Sequence, residues 1–89
     1  MFYVYILRSD THFYVGYTSN LKNRILEHNA GQNISTKKYV PWELIFYEAY
    51  ISQVDALRRE KYLKTTQGRQ AIRRMLKQYL VDEEIYFDY

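Results

Sequence analysis

Two aromatic and β-branched runs, Phe2 to Leu7 and Phe13 to Thr18, stand only a short polar stretch apart at the start of this chain. Each has the length and composition of a strand, and Ser9-Asp10-Thr11 between them reads as a turn. With so little chain to connect them, the two must pair antiparallel as a hairpin. The first run is apolar at consecutive positions, which predicts a strand buried on both faces. Gly16, in the second, lets a ligand or a neighbouring group approach the backbone closely.

The rest of the chain supplies cover for that hairpin. Ser19 or Asn20 can cap a helix that Gly31 stops, with Leu21, Ile25 and Leu26 as its apolar stripe. Residues 29–39 are polar and turn-rich and read as a loop, with Lys37 and Lys38 as a basic edge. After Pro41, Trp42 to Tyr50 reads as a third strand. Its alternation puts Trp42, Leu44 and Phe46 on one face and Ile45, Tyr47 and Ala49 on the other. Ser52 and Asp55 have capping-box spacing and open a helix through about Lys64. Gly68 breaks the pattern, and a last helix carries Ile72, Met75, Leu76, Tyr79 and Leu80 at helical spacing. The order ββαβαα makes the fold class α+β: a three-stranded antiparallel sheet flanked by helices. Residues 1–81 form one domain, and 82–89 form an acidic, aromatic tail.

Composition narrows the chemistry. The chain has 89 residues and no cysteine, which excludes disulfides, thiolate zinc sites and a cysteine nucleophile. Two histidines are too few for a multi-histidine metal cage. No apolar run is long enough to span a membrane and no secretory leader is visible, so a cytoplasmic location is expected. The net charge of +3 conceals an uneven distribution, because four of the ten acids fall in the last eight residues. Through residue 81 the chain holds 13 Lys and Arg against six Asp and Glu. Such a basic body favours a polyanionic partner.

The residues with the most chemistry lie early. The hairpin brings Tyr5 and Tyr14 onto neighbouring strands, and the helix behind it presents Arg24 and His28 four apart on one face. Two phenols beside a guanidinium and an imidazole point to phosphate chemistry. Lys37, Lys38, Arg69, Arg73 and Arg74 are candidates for contacts to a nucleic-acid backbone. Glu60 reads from the pattern alone as a helix glutamate paired with Lys64.

In these elements the chain resembles the GIY-YIG nuclease superfamily. Tyr3-Val4-Tyr5 and Tyr14-Val15-Gly16 stand where that family has its two tripeptides. Arg24 follows the second at the family distance, and His28 comes one turn later. Ala56 to Lys64 resembles the helix that supplies a metal-binding glutamate, here Glu60. The likeness spans roughly Met1 to Leu80 and is closest to small stand-alone bacterial members. It departs in two places: Tyr3 replaces the first glycine, and Thr65 to Arg69 lacks the polar residue, usually Asn, found after that helix in many members.

The resemblance implies a DNA endonuclease that hydrolyses phosphodiester bonds with one divalent metal, Mg²⁺ or Mn²⁺, at Glu60. RNA is a further possible substrate, DNA repair a possible setting, and a homodimer or partner protein a possible source of specificity. Within that scheme Tyr5 is the base that activates water, with its phenol brought down in pKa by metal and Arg24, and Tyr14 is its partner. Arg24 clamps the phosphate, His28 bonds or moves a proton beside it, and Tyr17 lines the site. The alternative is a module of the same fold that binds nucleic acid without cutting it.

Overall fold

The computed structural model describes residues 1–85. β1 (Phe2–Arg8), β2 (Phe13–Thr18) and β3 (Glu43–Tyr50) form one antiparallel sheet in the order β2-β1-β3. The hairpin is in place, and β1 is the central strand. Val4, Tyr5, Ile6 and Leu7 are all buried, as a run apolar at successive positions requires.

Each face of the sheet has its own cover. Val4, Ile6 and Val15 pack with Ala56, Leu63, Ile72 and Leu80, contributed by α2 (Gln53–Leu63), α3 (Thr66–Met75) and α4 (Lys77–Asp82). Tyr5, Leu7 and Trp42 pack on the other face with Tyr14, Leu44 and the Leu21 and Ile25 stripe of α1 (Leu21–Asn29). Asn20 caps α1 by accepting the Asn23 N–H, and Ser52 caps α2 through the Asp55 N–H. Gly31, at φ +74°, follows α1 in the left-handed region that suits glycine.

The structure corrects four details of the pattern. Gly68 does not break a helix; it lies inside α3, capped by Thr65. A Cβ there would run into the Tyr62 carbonyl and Leu63, so the glycine lets α3 press against the end of α2. The last helical stripe is split at Leu76 into α3 and α4. β3 begins at Glu43, after Trp42, and its register against β1 shifts between Ile6 and Leu7. Ile6 pairs with Phe46 and Leu7 with Leu44, so Ile45 is a bulge, and Leu44 and Phe46 serve opposite faces. Finally, the loop at 29–39 contains a 3₁₀ turn, Lys37–Tyr39, and delivers Thr36 into the interior.

The beginning of the acidic stretch is anchored. Arg8 donates to the Tyr79 hydroxyl and pairs with Glu83 at 3.3 Å, while Ile85 packs against the core. Residues 86–89 of the expected tail lie outside the described residues. Among the described residues no helix is long and apolar enough to cross a membrane.

Candidate active site

Register places the two phenols. Tyr5 sits opposite Gly16, and Leu7 sits opposite Tyr14. Alternation therefore puts Tyr5, Tyr14 and Gly16 on one face, with the tyrosines diagonal neighbours and ring centroids 6.3 Å apart. Gly16 has a steric role: a Cβ there would occupy the place of the Tyr5 phenol and come within 2.9 Å of the Tyr14 ring. The glycine of the second tripeptide is thus the seat of the tyrosine of the first.

α1 lies over this seat. His28 is fully buried, with Nε2 2.8 Å from Tyr5 Oη and Nδ1 2.8 Å from Thr36 Oγ1. Arg24 Nε donates to Tyr5 Oη at 3.4 Å, a long contact. The Tyr14 and His28 rings meet edge to face at 5.0 Å. Behind them the Trp42 indole donates to the Thr36 carbonyl, and the Asn29 amide pins the Trp42 backbone through two hydrogen bonds. Thr36, Asn29 and Trp42 hold the site, yet no spacing in the chain marks them, because their partners are brought together only by the tertiary fold.

Burial dominates the electrostatics. It pushes the Tyr5 phenol up to about 12, outweighing the Arg24 hydrogen bond that favours the phenolate. In this arrangement Tyr5 keeps its proton. Burial, reinforced by the Arg24 charge, lowers the pKa of His28 and keeps its imidazole neutral. The two ring nitrogens of neutral His28 thus bridge the Tyr5 and Thr36 hydroxyls.

A pH dependence of stability follows. Unfolded His28 takes up a proton near pH 6.5 whereas the folded imidazole resists it, so this contribution is complete above about 6.5 and is lost as pH falls below it. The Tyr5 contribution has the opposite sense, being lost as pH rises from about 10 to about 12. Urea midpoints for wild type should drop between about pH 7.5 and about pH 5 more than those of His28→Gln. Equal drops would exclude a buried neutral His28.

Glu60 stands at the border of the site. Its Oε2 is 3.2 Å from Lys64 Nζ, which lies 5.8 Å from the Tyr14 ring centroid, and its charge is felt at Tyr5. The ion pair read from the pattern is present. No group of three or more His, Cys, Asp and Glu suited to a metal occurs among the described residues. One partly exposed carboxylate is a donor set that fits Mg²⁺ or Mn²⁺, since Mg²⁺ keeps several waters and takes few protein oxygens.

The other expected contacts separate. Tyr17 lies on the opposite face, stacked on Phe2 and bonded by Gln53, so it does not line this site. Lys37 and Lys38 are exposed on the 3₁₀ turn that follows Thr36. Arg69 joins Lys64 at a cleft beside Tyr14, while Arg73 and Arg74 are exposed further along α3.

Residues 1–74 match the family model described as the GIY-YIG catalytic domain. A UPF0213 protein of Staphylococcus haemolyticus is 40% identical over 73 residues, covering 80% of this chain and 89% of that protein. A UPF0213 protein of Pediococcus pentosaceus is 45% identical over 65 residues, covering 71% and 68% respectively. Another, from Haloquadratum walsbyi, is 38% identical over 65 residues, covering 71% and 73%. No solved structure matches the chain.

Proposed function

The chain belongs to the GIY-YIG family, and on that premise we propose that it hydrolyses phosphodiester bonds of DNA with one divalent cation. The observation that supports this best is the convergence of Tyr5, Tyr14, Arg24 and His28 on one sheet face, with Glu60 at its border. A basic body suits such a substrate, and RNA offers the same backbone chemistry.

Glu60 would hold Mg²⁺ or Mn²⁺, which when bound supplies charge neutralisation at the leaving oxygen. Arg24 reaches the phosphate with its fork of N–H groups and stabilises charge on the non-bridging oxygens of the transition state. Its present partners, Tyr5 at 3.4 Å and Glu27 at 3.5 Å, are both long contacts that it can exchange for phosphate. The two phenols divide the remaining work. Tyr5 is buried and hydrogen-bonded to His28, so it orients the site. Tyr14 borders an open cleft and is the phenol placed to accept the proton of the attacking water while passing its own to solvent. This reverses the order that the resemblance suggests.

The test is cleavage of supercoiled plasmid and a labelled branched duplex with Mg²⁺, Mn²⁺ or EDTA. Cutting is expected with either metal and not with EDTA. Tyr14→Phe should cost about 10²–10⁴-fold in rate. A binding-only module is the second reading, favoured by the Glu60–Lys64 ion pair, which already engages the carboxylate. It predicts salt-dependent DNA binding without product.

A further inference from the structure

The sheet face that carries the phenols continues past them. Tyr3 precedes Tyr5 by two residues and Tyr47 stands directly opposite Tyr5 on β3, so both side chains leave the sheet on the Tyr5 side. Tyr5, Leu7 and Tyr14 lie in the cluster with Trp42 and the α1 stripe, but Tyr3 and Tyr47 belong to neither packed cluster. Their rings meet edge to face at 6.1 Å, and among the described residues neither side chain has a hydrogen bond or another ring partner. Tyr47 is 54% exposed. Ala49, opposite Tyr3 on the same face, is small and exposed, which leaves this end of the face open. An edge-to-face contact uses the edge of one ring and one face of the other, so the pair itself leaves ring faces over for a flat ligand.

We propose that Tyr3 and Tyr47 form a stacking platform for the unpaired base of a nucleotide that flanks the scissile phosphate. The proposal rests on the nuclease reading and adds a substrate class to it: a strand that is single, or locally unpaired, at the cut. Stacking on a side chain needs a base freed from its neighbours, which an intact duplex does not offer. The position argues for a flanking nucleotide. Tyr5 reaches toward β2, where its phenol takes the space over Gly16 and meets Arg24, whereas Tyr47 stands on the β3 side. A phosphate at Arg24 thus has the phenols on one side and the platform on the other, one strand spacing of about 4.8 Å from the Tyr5 backbone. Charge contacts to the backbone give affinity whether or not the bases are paired, and the platform supplies the preference.

The experiment compares binding, in EDTA, of a short fluorescein-labelled oligothymidylate and of an abasic sugar-phosphate strand of the same length, which keeps the charges and lacks the bases. Wild type should bind the base-bearing strand about tenfold more tightly. Tyr3→Leu with Tyr47→Leu should abolish that preference. Affinity for the abasic strand and the slope of log K against log salt should not change, because no charge is removed. Tyr3→Phe with Tyr47→Phe should keep the preference, since the ring faces remain. Equal binding of the two strands by wild type overturns the platform, and so does a preference that survives both leucines. A wild-type dimer that the leucine protein loses, with no base preference in either, gives the pair to a second copy and also overturns it. If wild type in any of these cases still cuts DNA with Mg²⁺, only the platform falls; if it neither binds nor cuts, the nuclease reading falls with it. Circular dichroism melting checks that the leucine protein is folded, and the wild-type comparison stands without that variant.

Discussion

Glu60→Gln protein is expected to bind DNA about as tightly as wild type and to cut it about 10³-fold more slowly. The substitution keeps the size of the side chain and removes one negative charge at the border of the site. Its structural cost is small, because Glu60 and Lys64 form a partly exposed i,i+4 pair worth about 0.3–0.5 kcal/mol. The chemical cost is large because Glu60 is the carboxylate whose charge is felt at Tyr5. Single-turnover cleavage with saturating protein separates the two, with gel shift in EDTA as the binding measure. Wild-type cutting by Glu60→Gln would remove the metal role from this residue.

The second large effect is steric. Gly16→Ala should lower stability by about 2–6 kcal/mol and abolish cutting together. The added methyl takes the place of the Tyr5 phenol, so the ring must move and release both His28 Nε2 and the Arg24 contact. Overpacking alone costs about 1–3 kcal/mol, and a buried imidazole left without its partner adds about as much. Adding Tyr5→Leu to Gly16→Ala should recover much of the urea midpoint, since the smaller side chain vacates the space, but none of the activity. A Gly16→Ala protein with the wild-type midpoint and rate would show that the phenol does not depend on this seat.

Local rules explain why part of this arrangement could be read from the chain. A short turn fixes the register of a hairpin, and period-two alternation then determines that Tyr5 and Tyr14 share a face. The same alternation separates Tyr17 from Tyr14, a signal that outweighs its nearness to the second tripeptide. Arg24 with His28, and Glu60 with Lys64, follow from helical spacing. Features set by distant partners were not legible. Thr36 looks like any polar loop residue until His28 meets it, and the Asn29 clamp on Trp42 joins residues from a helix end and a strand entry. Ile45 reads as an ordinary strand residue because a bulge appears only against its partner strand. Gly68 reads as a stop, since the helix that needs its missing side chain lies across a corner.

The strand order has a consequence for quaternary structure. Among the described residues β1 is paired on both sides, so the sheet ends in β2 and β3 and presents hydrogen-bonding backbone along each. The β2 edge also borders the cleft through Phe13, Tyr14 and Val15. A second copy joined there by strand addition would wall off the cleft and the approach past Tyr14. β3 carries no such conflict, so self-association compatible with an open site must run through that edge or through a helical face, and self-association along β2 would act as inhibition.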